Sequence, residues 1–446
     1  MERFIIVLVV VIAIIAISQL LRVYQLASQL KGHREEDISK KDNQMNATLW
    51  LVFMVSFYIF FIWLYYEYGG NRFGKGQAAS DIGEKTDWLL NLNMIIITIV
   101  FFITNSILFI FAWKYAYDKN RKAYFYPHNN KLELLWTVVP SIVLAIIIIL
   151  GLKTWFEVTD NSSSGDPTIA GASQNIEVYS RQFDWHVRYA GEDNQLGQSD
   201  YKLVTGTNPV GVITSGLIDS TSNEMTNLIH ALENQLKTEG SYIPNWKYEE
   251  LKSKIIRTKR LQRRLNALKH NIIYDIENEN DPKNWNEIAH NDIVVLGEMY
   301  LVKGTKYNFV FRSQDVIHSA YFPHFRAQMN TVPGEPTFIS FTPTMTTEEK
   351  RKEMNDPNFD FVLVCNKICG KSHSQMKMKV IVGDADGFRQ WLDGKTRIDG
   401  QGLSYVPFKE GDILFPKVVT TADESTETPD LDVNVNISDT IPEVIH

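Results

Sequence analysis

Four long apolar runs lie before residue 153, at about residues 4–22, 48–66, 92–113 and 134–152, and none comparable follows. Each approaches the roughly 20 residues that carry a helix across a bilayer. The front of the chain is therefore read as a membrane anchor of four helices. A cleaved signal is the rival reading of the first run, but Glu2 spoils a basic start and no small-x-small site follows, so it is read as a retained helix.

Charge orients the anchor. Arg22, Lys31, Arg34, Lys40 and Lys41 separate the first two runs, and Lys114, Lys119, Arg121, Lys122 and Lys131 separate the last two. The middle loop, 67–91, holds only Arg72, Lys75 and Lys85. The positive-inside rule places the two basic loops in the cytoplasm and everything after residue 153 outside. Trp50, Trp63, Trp88, Trp113 and Trp136 sit near the ends of the runs, as interfacial anchors do. A net charge of -7 is modest for a chain of this length and argues against nucleic acid as the main partner.

The remainder divides by composition. Residues 1–152 are the anchor, 153–399 an external domain, and 400–446 an acidic tail expected to be disordered, with no core-forming pattern from about 417. Within the external domain, 157–175 reads as a linker, and Asn175 to Tyr189 alternates as one strand with a solvent face. The stretch from about 200 to 290 carries helical periodicity. Thr221 with Glu224 fits a capping box opening a first helix, and a second runs from about Lys247 to Glu277. This is read as a helical hairpin inserted into a β domain. The many lysines and arginines of the second helix are read as a solvated face. Strand signals return from Ile293, and a short helix is expected around Trp391.

Both cysteines fall in one stretch, Cys365-x3-Cys369-x3-His373-x2-Met376, between the strand-like runs 359–364 and 378–382. Thiolates, imidazole and thioether make a soft donor set suited to copper. A Cys365–Cys369 disulfide leaves the following His and Met unexplained, and a zinc site of Cys365, Cys369 and His373 leaves out Met376. His318, in Asp315-Val316-Ile317-His318-Ser319, is the best candidate for a second imidazole. One cysteine is too many for a mononuclear blue-copper set. Two thiolates can bridge two copper ions, with His318 and His373 as terminal ligands and Met376 as a weak axial one. Such a pair spreads an electron's charge over both ions, which suits electron relay.

With these residues in place, the chain resembles subunit II of haem–copper cytochrome c oxidases. The resemblance is carried by the cysteine loop, the 315–319 segment, Val332-Pro333-Gly334, Gln182-Phe183-Asp184-Trp185 and Glu133-Leu134-Leu135-Trp136-Thr137-Val138-Val139-Pro140. It covers about 92–191 and 290–395, leaving out the first two membrane runs, the insertion and the tail. It implies a cupredoxin-like Greek-key sandwich on a membrane anchor, a dinuclear copper centre, and the carbonyl oxygen of Lys367 as a further ligand. It also implies electron uptake from reduced cytochrome c near Phe183 and Trp185, delivery to haem in subunit I, and subunits I and III as partners. Glu133 matches a glutamate near the mouth of a proton-uptake path. The implied location is a respiratory membrane, read as a bacterial plasma membrane with the copper domain on the periplasmic side.

Two positions depart from the family pattern. Lys367 stands where a glutamate usually helps bind magnesium or manganese at the subunit interface, and an ammonium never ligates, so that ion site is in doubt. Phe183 stands in place of the tryptophan that takes up electrons. No Cys-x-x-Cys-His occurs, so the haem of the donor belongs to a separate cytochrome c or to a haem c domain of a neighbouring complex. Two rival readings remain: a quinol oxidase subunit II, which keeps the fold but lacks the copper ligands and is opposed by the intact Cys365, Cys369, His318 and His373, and a membrane-anchored copper-binding or delivery protein without turnover.

Overall fold

A computed structural model describes residues 2–30, 39–69, 76–118, 120–159, 173–277, 285–409 and 412–415. The apolar runs form four helices, α1 (Glu2–Leu30), α2 (Lys40–Tyr68), α3 (Asp81–Lys114) and α4 (Asn130–Thr159), each long and apolar enough to cross a membrane. The helices run past the apolar stretches because polar caps set their ends. Ser39 and Ser80 accept hydrogen bonds from the backbone N–H of Asp42 and Gly83, filling orphan donors of the first turns of α2 and α3. An aromatic ladder joins α2 to α3: Trp50 stacks on Phe109 at 5.9 Å and Phe61 on Phe101 at 4.9 Å. No residue of α4 is buried. Its apolar sides face outward, as suits contact with lipid or other helices.

The external domain is a two-sheet sandwich. One sheet has the order β3 (Ile293–Leu296), β2 (Asp184–Tyr189), β1 (Gln174–Arg181), β5 (Tyr307–Ser313), β8 (Thr337–Phe341). The other has the order β4 (Glu298–Val302), β10 (Lys377–Gly383), β9 (Phe361–Cys365), β6 (His318–Phe322), β7 (Ala327–Thr331). The β1–β5 and β4–β10 pairs are parallel and the rest antiparallel. Inward residues alternate along each strand, and aromatics dominate the core, with Phe309 stacked on Phe341 at 4.7 Å. The fold is thus a transmembrane helical anchor carrying a cupredoxin-like sandwich. The two parts are tied where Ala79 N donates to His324 O at 2.8 Å and the Ser80 hydroxyl donates to Phe325 O at 2.7 Å.

Several expectations change. The 175–189 stretch is two strands, β1 and β2, joined at Gln182-Phe183, because Arg181 and Asp184 pair across a tight turn lacking the usual Gly or Asn signal. Its polar face is buried rather than solvated. The insertion holds α5 (Ser215–Glu239) and α6 (Asn245–Glu277). Here α5 starts earlier than expected, at the cap Thr214, whose side chain accepts from Leu217 N at 3.1 Å. Thr221 is instead buried within the helix and Glu224 accepts a bond from Thr207. After α7 (Trp285–His290) the chain enters β3; α8 (Thr347–Met354) and α9 (Ala385–Leu392) cap the sandwich. Packing also continues past residue 399. Leu403 and Phe415 lie in the core, and Arg389 binds the carbonyls of Pro407 and Ile413. The rest of the expected tail, from 416, lies outside the described residues.

The insertion shields the outer face of the first sheet. Val210, Val212 and Ala289 pack with Tyr179. Beneath them the buried Arg188 donates to Glu177 at 2.6 Å and to Asp292 at 2.9 Å, and Arg312 pairs with the other oxygen of Glu177. Burial pushes the Asp292 carboxyl up to about 7, against the pull of Arg188.

Candidate metal centre

Two adjacent strands deliver the ligands. His318 opens β6 and Cys365 closes β9, and the pairing of Ala320 with Cys365 sets their ends side by side. The loop 366–376 then folds back over this edge. It is pinned by Cys365 N donating to Met376 O and by Asn366 N donating to Ser319 O, both at 3.0 Å. A turn of 3-10 helix at His373–Gln375 brings His373 and Met376 round to Cys369.

The donor atoms converge. Cys365 Sγ lies 3.8 Å from Cys369 Sγ, 3.9 Å from His318 Nδ1 and 3.1 Å from Lys367 O. Cys369 Sγ lies 3.6 Å from His373 Nδ1 and 3.8 Å from Met376 Sδ. Both cysteines are free and buried, so the pair is not a disulfide. Metal–sulfur bonds of about 2.3 Å let one ion join sulfurs up to about 4.6 Å apart, and the pair falls inside that span. Each sulfur also has a ring nitrogen of its own, so the two thiolates can be shared between two ions. His318, Cys365 and Cys369 form a possible metal site, their ligand atoms mutually within 4.8 Å; His373 and Met376 reach it from the Cys369 side.

The surroundings orient these donors. His318 Nε2 meets Asp315 Oδ1 at 2.9 Å, which leaves Nδ1 for the sulfur side, as a ligating histidine is commonly held by a carboxylate on its other nitrogen. Burial would raise Asp315, but its bonds to His318 and to the N–H groups of Gln182 and Val316 hold it below the usual carboxylate range. The Cys369 thiol is pushed up to about 12 by burial and by Cys365 beside it. A bound cation reverses that balance and favours thiolates. Gln182 Nε2 donates to Cys369 O, tying the β1–β2 turn to the loop. Gly370 has φ +142, and a Cβ there would lie 2.8 Å from the Phe183 ring, so the close approach of loop and turn requires glycine.

The remaining candidates lie at different depths. Trp185 is fully buried beneath the site, 6.2 Å from the His318 ring, with its indole N–H 3.5 Å from Met376 O. Phe183 is partly buried against the core at the surface of the loop. Lys367 directs its carbonyl at Cys365 while its side chain is exposed. Glu133 stands apart, exposed in the first turn of α4, its carboxylate accepting from Asn129 N at 3.3 Å. Sequence reasoning gave no role to Asp315 or Gln182. The signal for Asp315 was its place three residues before His318, and for Gln182 its place in the turn facing the loop.

These features define a membrane-anchored cupredoxin-like protein with a candidate metal site of soft donors at one end of its sandwich. Residues 67–154 match the family described as cytochrome C oxidase subunit II, transmembrane domain. The chain is 22% identical over 289 residues to the alternative cytochrome c oxidase subunit 2 of Bradyrhizobium diazoefficiens, covering 65% of this chain and 72% of that one. It is 30% identical over 98 residues to the cytochrome c oxidase subunit 2 of Thermostichus vulcanus, a match spanning 22% of this chain and only 26% of that relative. A solved periplasmic domain of cytochrome oxidase subunit II from Bradyrhizobium japonicum aligns at 23% identity over 21% of this chain and 59% of that chain, with a TM-score of 0.18. Together these matches support a subunit II-like protein.

Proposed function

We propose that this chain is the electron-accepting subunit of a respiratory cytochrome c oxidase, holding two copper ions on Cys365, Cys369, His318, His373, Met376 and the carbonyl of Lys367. The observation that carries this is the placement of two buried sulfurs 3.8 Å apart, each with its own imidazole nitrogen. The copper pair supplies one-electron chemistry at little cost in rearrangement. The chain's own residues supply the rest. Asp315 fixes the ring of His318, Gln182 and Gly370 hold the loop against the β1–β2 turn, and burial keeps water from the sulfurs. Electrons from a reduced cytochrome c, or from a haem c domain of a neighbouring complex, arrive at the Phe183 edge. Trp185 fills the space beneath the ligands. Haem in subunit I receives the electrons, where oxygen is reduced to water with proton translocation, so this chain is one component of an oxidoreductase complex that also contains subunit III.

In this reading the sandwich faces the periplasm of a bacterial plasma membrane, and Glu133, where a proton path from the cytoplasm begins, stands about 39 Å from the Thr159 end of α4. Lys367 stands where the family has a magnesium-binding glutamate and cannot ligate, so the interface ion is lost or takes its ligands from subunit I.

Metal content and spin-resonance spectra of the full chain loaded with copper test the reading. Two coppers per chain with a mixed-valence signal are expected, lost in Cys369→Ser while the protein remains membrane-bound. One colourless Cu(I) per chain would instead mark a copper-delivery protein and end the relay assignment.

A further inference from the structure

A second site lies at the far end of the helix pair α2–α3. Because α3 leaves the sandwich at Ser80 and rises about 1.5 Å per residue over 34 residues, Lys114 lies about 50 Å away. There, where α2 begins and α3 ends, a cavity of about 310 Å³ is lined by Lys40, Asn43, Trp113, Lys114, Asp118 and Arg121, among others. Three of these side chains are cationic and one is anionic.

The charges are not spent on one another. Asp118 accepts from Asn120 N at 3.0 Å within its own turn. The Arg121 guanidinium donates to the carbonyls of Lys114, at 2.9 Å, and Ala116, which fixes a cation beside the cavity while capping α3. The ammonium groups of Lys40 and Lys114 make no ion pair or hydrogen bond among the described residues; Lys114 only faces the Tyr115 ring at 5.7 Å. Lys40 opens α2, so the positive end of that helix adds to the same field. Below the cavity, Leu49, Phe53 and Ile107 are exposed on the helix sides. A cationic pocket above an apolar helix flank matches the two ends of a lipid rather than a free anion.

We propose that this cavity binds the phosphate of an anionic phospholipid whose acyl chains lie along α2 and α3. The site is independent of the copper centre. It uses α2, which lies mostly outside the region resembling subunit II, so it gives that additional helix a ligand of its own.

Native mass spectrometry of the full chain, released from micelles containing equal phosphatidylglycerol and phosphatidylcholine of the same acyl chains, tests this. Retention of phosphatidylglycerol over phosphatidylcholine is expected. Lys40→Gln with Lys114→Gln should weaken it roughly twenty-five-fold, about fivefold for each charge removed, and Lys40→Arg with Lys114→Arg should keep it. Helical circular dichroism checks that the variants are folded. Equal retention of the two lipids by the parent protein overturns the proposal even if the glutamine variant fails to fold. Undiminished phosphatidylglycerol binding by a folded glutamine variant overturns it too. Displacement of the lipid by an equal concentration of inorganic phosphate would assign the cavity to a free anion and overturn the lipid assignment.

Discussion

The two faces of the β3-β2-β1-β5-β8 sheet are both closed to water, by opposite chemistry. Inward, Ile176, Val178, Trp185, Val187 and Phe309 are apolar and meet the second sheet. Outward, the same strands carry Glu177, Tyr179, His186 and Arg188, all buried beneath the insertion. Alternation of this kind ordinarily marks one core face and one wet face. Here a second layer of protein has taken the place of water, so the polar face must satisfy its charges internally. Arg188 opposite Glu177 across β1–β2, with Asp292 completing the pairing, is how it does so. Apolar burial stabilises directly, whereas a buried ion cluster is close to break-even against apolar replacement and costly only when broken.

That contrast yields a graded set of predictions. Arg188→Ala, which takes the ion-pair partner from buried Asp292 and one of two from Glu177, should cost about 3–5 kcal/mol in denaturant unfolding, comparable to Phe309→Ala on the inner face at about 3–5 kcal/mol. A loss below about 1 kcal/mol for Arg188→Ala would mean that water reaches the outer face after all. Replacing the cluster together, Arg188→Met with Glu177→Leu and Asp292→Leu, should cost far less than Arg188→Ala alone, near zero to about 2 kcal/mol; a triple variant as unstable as the single one would break the comparison. Next in size is a pH effect. Burial, then Arg181, lowers His186 to about 4, against the pull of Asp184. A base whose folded pKa is depressed keeps its contribution above its unfolded value near 6.5 and loses it as pH falls toward 4. The His186 contribution to unfolding free energy should therefore fall by about 3 kcal/mol across that window, read as the difference in pH slope between the parent protein and His186→Gln, since the raised Asp292 carboxyl contributes with the opposite sign. The smallest effect belongs to the exposed Lys259–Glu233 pair, 2.6 Å apart on the insertion. Lys259→Ala should leave the denaturant midpoint unchanged within error.

What was legible followed from periodicity and spacing. The membrane helices announced themselves because no other structure satisfies backbone groups within so long an apolar run. The ligand loop stood out because Cys365, Cys369, His373 and Met376 are close in sequence, and His318 was found by its segment. The β1–β2 turn was hidden because Gln182-Phe183 carries no turn chemistry. The start of α5 was misplaced because Thr221 and Glu224 mimic a cap that Thr214 supplies. Burial of the outer face was illegible because Glu177, His186 and Arg188 look like solvent residues until the insertion that follows β2 covers them. Asp315 sat three residues before His318 and was within reach of the reading, whereas Gln182 acts on Cys369 through the folded approach of separate elements, which spacing alone does not encode.

Tyr189 and Ile293 face each other across β2 and β3, so the whole excursion between them occupies the place of a hairpin turn. Loop-closure cost grows only logarithmically with length, and a segment of any size can start there without shifting strand register. Leaving is another matter. Asp292 and the carbonyl of Gly197 both bind Arg188, so a chain shortened to a simple turn would expose or strand charges that the sheet now keeps dry. The insertion works as a ratchet: easy for a lineage to acquire, and hard to discard without rewriting the face it covers.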